Sequence, residues 1–195
     1  MPVASPSPPK RLSGVAWVTD FPTSRKVEDL AEPFRTNVGK FLAAITAAGG
    51  KSNIAATRRP KERAFLMHWS FKVASGVVAP EDVPAMAGVD IEWVHTFADG
   101  KKNATASRKA AKEMVAGYDI AFAPALKSHH IAGLALDMSI SWTTAELKIK
   151  DAANREVIIK GAIKNGSNAE LHAVGKSYGV IKLASDPPHW SADGH

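Results

Sequence analysis

Apolar residues recur at helical spacing through much of the first half of the chain. Over about 33–48 they recur every three or four positions, which predicts a helix that ends at Gly49-Gly50. The segment PKERAFLMHWSFKVA predicts a second helix with Pro60 at its start, and a third is predicted over about 105–116. Residues 78–104 are interrupted by Pro and Gly and are expected to be irregular.

Short apolar runs dominate the second half and predict strands. They lie at 131–142, 156–160 and 180–183, and a further strand is predicted at 52–57. A short helix is predicted over about 169–178. Because the helices come mainly first and the strands later, the chain is predicted to be α+β.

The N-terminal sequence MPVASPSPPKR has four prolines in its first nine residues, which is typical of an extended, flexible arm. We expect an arm over 1–13 and a single domain over 14–195. The sequence has neither the apolar core of a signal peptide nor a run of about 18 apolar residues. We therefore expect a protein made in the cytoplasm without a signal peptide and without membrane insertion. We also expect a monomer.

Charge and cysteine content restrict the chemistry. The chain has 25 Lys and Arg against 19 Asp and Glu, a net charge of +6, and no nucleic-acid motif accompanies it. We expect no specific nucleic-acid partner, since an anionic bacterial cell wall or a solvated basic surface also fits this charge. With no Cys, thiol nucleophiles and iron–sulfur clusters are excluded, and any metal must be held by His and carboxylates.

Two segments combine such groups, SHHIAGLALD at 128–137 and DPPHWS at 186–191. His130 and Asp137 are seven residues apart. On a straight strand they would face opposite sides, and on a helix they would lie about 10 Å apart along the axis. Both can bind one ion only if the chain bends between them, and Gly133 permits a bend. Two His and one carboxylate are the ligand count of a catalytic zinc site with one open position.

The second segment is stiff because Pro187 and Pro188 restrict the backbone. Asp186 and His189 are therefore presented from an extended or turned segment in a fixed relation. A carboxylate three residues before a ligand His can hold a water at the metal and accept its proton.

The pattern Ser-x-His-x-x-Gly-x-Ala-x-Asp, followed downstream by acid-x-x-His-Trp, resembles the zinc D-alanyl-D-alanine carboxypeptidase family. That family shares its fold with L-alanyl-D-glutamate endolysins and the hedgehog signalling domain. The fixed positions are met at Ser128, His130, Gly133, Ala135, Asp137, His189 and Trp190. The resemblance implies a hedgehog/DD-peptidase-like fold, in which helices pack on one side of a small antiparallel sheet. It also implies a zinc ion held by His130, Asp137 and His189.

The resemblance extends to the catalytic groups. The family's catalytic acid corresponds to Asp186, although the family usually has Glu there. An upstream Arg motif, Tyr-Arg-Ser-Pro or Tyr-Arg-Pro, resembles Thr57-Arg58-Arg59-Pro60, so either Arg58 or Arg59 would stabilise the oxyanion or bind a substrate carboxylate. Ser128 and Trp190, next to the ligands, are predicted to line the substrate pocket.

The function implied is a zinc metallopeptidase that hydrolyses an amide in the peptide stem of bacterial peptidoglycan. Such an enzyme resembles a phage endolysin, released to the cell wall after synthesis, or carried in a virion. The bond that is cut stays open between D-Ala-D-Ala, L-Ala-D-Glu and a cross-bridge. Because Asp186 replaces Glu, a second hypothesis is a non-catalytic, zinc-stabilised binding or virion structural module. A third, nucleic-acid binding, depends on charge alone.

Overall fold

The computed structural model describes residues 10–195, which divide into two compact units. The helical unit comprises the described residues up to Pro22 together with Pro60–Leu126. The sheet unit comprises Thr23–Arg59 and Lys127–His195. Residues 1–9 of the predicted arm lie outside the described part, and Arg11–Leu12 form a short strand. The single domain predicted over 14–195 stays a prediction.

The helices and strands that the apolar pattern predicts all occur, in the predicted order. The five α-helices within residues 10–195 are α1, Phe34–Ala47; α2, Lys61–Ala74; α3, Ala104–Tyr118; α4, His129–Ala132; and α5, Ala169–Ser177. The eight strands of the same residues are β1, Arg11–Leu12; β2, Lys51–Ala56; β3, Ile91–Glu92; β4, Ala135–Ser141; β5, Leu147–Lys150; β6, Glu156–Ile159; β7, Ile181–Lys182; and β8, His189–Ser191. The α+β class is therefore confirmed.

The sheet unit is built around four strands in the order β2-β4-β8-β7, with every neighbouring pair antiparallel. Successive residues of a strand point to opposite faces. In β4, Leu136 and Met138 are buried in the hydrophobic core, so Asp137 between them lies on the other face. Asp137 pairs directly with His189 of β8, and directly paired residues share a face.

Two helices contribute to the core on the buried face of this sheet. Phe41 of α1 and Leu171 of α5 belong to the same buried cluster as Trp190 of β8. The rings of Phe41 and Trp190 lie 5.6 Å apart. The antiparallel hairpin of β5 and β6 adds Leu147 and Ile159 to this cluster. The strands that carry Asp137 and His189 are thus anchored on a packed core.

The helical unit has its own core between α2 and α3. Leu66 and Met114 are fully buried there. Tyr118 donates a hydrogen bond from its hydroxyl to the Trp17 carbonyl oxygen at 3.0 Å. Burial raises the pKa of Tyr118 to about 12, so this hydroxyl keeps its proton at neutral pH.

Besides the two-residue strands β1 and β3, which are not predicted, three features differ from the sequence predictions. The strand predicted over 131–142 begins only at Ala135, because the residues before it form α4 and a bend. Strand β5 is not among the predicted strands, although its apolar residues alternate with lysines. Strand β8 lies in a Pro-rich tail, where periodicity is not visible. Across residues 10–195, no helix combines the length and hydropathy that a bilayer-spanning segment requires.

Candidate metal centre

The first histidine segment is one helical turn followed by a bend. Helix α4 begins after Ser128, whose Oγ accepts a backbone hydrogen bond at 3.3 Å. It ends at Gly133, where φ is +72°, a left-handed conformation that suits glycine. A Cβ atom there would lie 3.0 Å from the Ala31 nitrogen. The bend predicted between His130 and Asp137 is therefore confirmed at Gly133.

The buried His130 side chain is fixed by a backbone carbonyl. Its Nδ1 lies 2.6 Å from the carbonyl oxygen of Thr57. A carbonyl oxygen only accepts hydrogen bonds, so Nδ1 carries a proton. The carbonyl of His130 in turn accepts a hydrogen bond from the Arg59 N–H at 3.0 Å. These contacts direct the other ring nitrogen, Nε2, at Asp137, where it lies 3.3 Å from Oδ1.

The second histidine segment is a turn that leads into β8. The His189 N–H donates to the Asp186 carbonyl at 3.0 Å across Pro187 and Pro188. The buried His189 ring places Nδ1 at 3.1 Å from Asp137 Oδ1. Its Nε2 lies 3.2 Å from the backbone oxygen of His195 and must donate, because that oxygen only accepts. Each histidine therefore uses its outer nitrogen on a backbone oxygen.

Ligand atoms of His130, Asp137 and His189 converge, all within 4.8 Å of one another. In a neutral ring whose outer nitrogen carries the proton, the facing nitrogen presents a lone pair. Two such lone pairs face one carboxylate oxygen. These three electron-rich atoms repel one another unless protons or a cation lie between them. Backbone oxygens at the outer nitrogens fix the orientation of the two rings that face Asp137, and such outer support is typical of metal ligands.

The distances from Asp137 to the two rings are compatible with three ligands of one metal ion. Asp137 Oδ1 lies 3.1 Å from His189 Nδ1 and 3.3 Å from His130 Nε2. Two ligands of a tetrahedral zinc ion, each bound at about 2.0–2.1 Å, lie about 3.3 Å apart. The residues present therefore fit a zinc ion held by His130, Asp137 and His189.

The electrostatics of the site agree with an ionised carboxylate between the rings. Burial by itself raises the pKa of Asp137, but hydrogen bonding and charge from His130 and His189 outweigh it and hold the pKa well below its usual range. The pKa of His189 is raised, chiefly by its hydrogen bond with Asp137, while burial opposes the shift. Asp137 is thus deprotonated at neutral pH, which is the state that metal ligation requires.

The predicted catalytic residues lie along the same two segments. Asp186 is exposed in the turn, and its charge contributes to the raised pKa of His189. Arg59 is half-buried, and its backbone N–H donates a hydrogen bond to the His130 carbonyl. Arg58 is exposed. Of the two arginines, Arg59 is the one attached to the first histidine segment. The catalytic roles of all three stay predictions.

Ser128 and Trp190, predicted to line the substrate pocket, have structural contacts. Ser128 caps α4, and contact with a substrate stays a prediction. Trp190 is fully buried against Phe41 in the core of the sheet unit. A side chain without exposed surface cannot touch a substrate, so this placement does not favour the predicted role of Trp190.

Three supporting groups are absent from the sequence predictions. Two are backbone oxygens, of Thr57 and His195, and every residue carries such an oxygen, so no pattern announces them. The third is Lys182, whose ammonium group contacts the turn between β7 and β8. Its signal was a single lysine within the apolar run at 180–183. Partial burial lowers the pKa of Lys182, and the nearby charges of Asp186 and Asp137 oppose that shift.

Four other histidines bond elsewhere. His129 pairs with the Asp193 carboxylate at 2.9 Å, His172 with the Gly166 carbonyl at 2.9 Å, His68 with the Pro124 carbonyl at 2.8 Å, and His95 with the Ser13 hydroxyl at 3.0 Å. Over the described range 10–195, one group of three or more metal-ligating side chains is present, and it is His130, Asp137 and His189.

No protein-family model matches the chain, and no curated protein matches it. Among solved structures, it is similar to the crystal structure of a mutant of the vancomycin resistance D,D-pentapeptidase VanY, from a VanB-type resistance cassette, in complex with Zn(II). The two chains are 16% identical, with a TM-score of 0.36, over 88% of this chain and 78% of that one. At this degree of similarity, the inferences below depend on the site and its motifs.

Proposed function

We propose that the protein is a zinc-dependent metallopeptidase that hydrolyses an amide bond in the peptide stem of bacterial peptidoglycan. The observation that supports a zinc site is the convergence of His130 Nε2, His189 Nδ1 and Asp137 Oδ1. Both outer ring nitrogens are bonded to backbone oxygens. The substrate class is supported by the motif resemblance around His130 and His189. A hedgehog/DD-peptidase-like fold is part of the same proposal.

The chain's own residues would divide the chemistry between them. When bound, zinc would lower the pKa of a water molecule towards neutrality and polarise the scissile carbonyl. Asp186, held on a proline-stiffened turn beside His189, would accept the proton of that water and pass it to the leaving amine. Arg59, or Arg58 beside it, would stabilise the negative charge that develops on the carbonyl oxygen.

A phage-type role fits this chemistry. We propose that the protein is made in the cytoplasm and reaches the cell wall after release, as an endolysin does, or is carried in a virion. The net charge of +6 suits attraction to an anionic cell wall.

Digestion of purified peptidoglycan, followed by mass analysis of the products, tests this proposal. With zinc, wild-type protein should release peptide fragments whose masses identify the bond cut, and a chelator should abolish their release. The His130→Ala variant is the matched control and should release none. Intact peptidoglycan after incubation with the zinc-loaded protein, or full activity of His130→Ala, would contradict the proposal.

A second candidate function is a non-catalytic, zinc-stabilised binding or virion structural module. The observation that favours it is Asp186, which is one methylene shorter than the glutamate usual in the family and is exposed. The Asp186→Glu variant separates the two candidates. It should increase turnover if the site is catalytic, and it should leave binding to peptidoglycan unchanged if the protein only binds.

A further inference from the structure

The ammonium group of Lys182 is enclosed by carbonyl oxygens of the segment that presents Asp186 and His189. Lys182 is the last residue of β7, and its Nζ contacts the carbonyl oxygens of Leu183, Asp186 and His189. The contacts to Asp186 and His189 measure 2.5 and 3.1 Å. One side chain thus bonds to both ends of the turn.

The backbone of this turn leaves the three oxygens available. Pro187 and Pro188 have no N–H, so the turn has two fewer backbone donors for these oxygens. The carbonyls of Leu183, Asp186 and His189 each accept one backbone N–H, at 3.2, 3.0 and 3.1 Å. A carbonyl oxygen has two lone pairs, and a lysine ammonium has three N–H donors. The three N–H donors of Lys182 can therefore each bond to the second lone pair of one of these oxygens.

Lys182 is also attached to the rigid part of the sheet unit. It is paired with Trp190 across β7 and β8, and its Nζ lies 5.7 Å from the centre of that ring. Trp190 is fully buried, whereas Asp186 and the two prolines are exposed. The lysine therefore connects an exposed turn to a packed core.

We propose that Lys182 is a positioning residue, which sets Asp186 and His189 at their places relative to Asp137. Its part in metal binding depends only on the His130–Asp137–His189 site, and its part in turnover rests on the proposed function. Without the ammonium group, three carbonyl oxygens lose a hydrogen bond at once, and the turn has no N–H from its prolines to replace it. His189 then leaves its ligand position, and Asp186 moves with it.

The test compares Lys182→Met with Lys148→Met, which removes the same charge from an exposed position on β5. Zinc affinity is measured by competition with a chromophoric chelator, and kcat and KM are measured with a stem peptide. We expect Lys182→Met to bind zinc about 10- to 100-fold more weakly, as for other supports of metal ligands, and to lower kcat more than it raises KM. Lys148→Met should match wild type.

Chemical rescue separates positioning from a general loss of stability. Lys182→Ala removes three carbons and the ammonium group, so propylammonium replaces what is lost. It should restore zinc affinity and kcat, and raise the Tm, in Lys182→Ala but not in wild type. The rescue still decides the question if Lys182→Met does not fold.

Wild-type zinc affinity in folded Lys182→Met, or loss without rescue in Lys182→Ala, would overturn the role of Lys182. If the wild type binds zinc but cleaves nothing, the peptidase proposal fails. The zinc affinity of Lys182→Met still tests the positioning role of Lys182. Wild-type protein that binds no zinc would overturn both.

Discussion

Two segments bring a histidine to Asp137, and they are held in different ways. The segment of His130 is fixed by backbone groups, among them the Thr57 carbonyl, the Arg59 N–H and the left-handed Gly133. The segment of His189 contains two prolines and is paired with β4, and it also bonds to the side chain of Lys182 and to the backbone oxygen of His195. Both ligand segments are therefore held by backbone hydrogen bonds, and the segment of His189 has the additional support of the Lys182 side chain.

This difference predicts how each segment responds to substitution. Backbone carbonyls persist whatever side chain they carry, so most substitutions near His130 should leave the metal site intact. Around His189, a single side-chain change can alter the geometry of both a ligand and the adjacent carboxylate. The exposed segment also contains Asp186, the base in the proposed mechanism, and a proposed base must be able to reach a substrate.

The largest expected effect is on the chemistry of the second segment. Asp186→Asn removes the proposed proton acceptor but keeps the size of the side chain, so kcat should fall by about 10²–10⁴-fold. Zinc affinity should stay close to wild type, because Asp186 is not among the three converging ligands. Steady-state kinetics on a stem peptide and a chelator competition measure the two quantities. Wild-type kcat in Asp186→Asn would exclude Asp186 as the base.

A smaller effect is expected where the first segment depends on one special backbone position. In Gly133→Ala the left-handed conformation costs about 1–2 kcal/mol. The new Cβ would also lie 3.0 Å from the Ala31 nitrogen, and overpacking of this kind adds about 1–3 kcal/mol. Both the free energy of unfolding and the zinc affinity should fall, as measured by urea denaturation and zinc titration.

Gly49→Ala is the matched control for this substitution. Gly49 has φ +82° in the same unit, but a Cβ there would meet nothing within 4 Å. It should lose only the about 1–2 kcal/mol of the conformation and keep wild-type zinc affinity. Equal zinc affinities of the two variants would mean that the Gly133 bend does not position His130.

The smallest effect is expected at Thr57, whose backbone supports His130. Thr57 is fully buried, and within residues 10–195 its hydroxyl has no hydrogen-bond partner, whereas its carbonyl holds His130. Thr57→Val replaces the hydroxyl with a methyl group and keeps the carbonyl. Stability should be unchanged or slightly raised, with unchanged zinc affinity, because an unsatisfied buried hydroxyl contributes nothing. A marked loss of zinc affinity in Thr57→Val would show that the hydroxyl, and not the backbone, supports the site.

The motif resemblance predicts the three residues at the site's centre, and their spacing adds a constraint on the backbone between them. Seven residues separate His130 from Asp137, too many for either a straight strand or one helical turn to bring them together. If both residues bind one ion, that spacing requires a bend, which Gly133 permits, and the structure has it there. The α+β class also follows from the order of the apolar patterns, because periodicity is a local property.

Other features depend on contacts that local pattern does not encode. Thr57 lies 73 positions from His130, and its contribution is a carbonyl that any residue would supply. Trp190 is next to a ligand in sequence, yet its side chain points to the opposite face of β8 and lies in the core. Whether Arg58 or Arg59 is attached to the His130 segment depends on a single backbone hydrogen bond.

Zinc titration of metal-free protein tests the central claim most directly, because it measures the site without any assumption about substrate. Isothermal titration of the wild type, His130→Ala, Asp137→Ala and His189→Ala gives stoichiometry and affinity for each. We predict one tightly bound zinc per wild-type chain and the loss of tight binding in every variant, since each removes one of three ligands. No binding by the wild type, or tight binding that survives all three substitutions, would contradict the account.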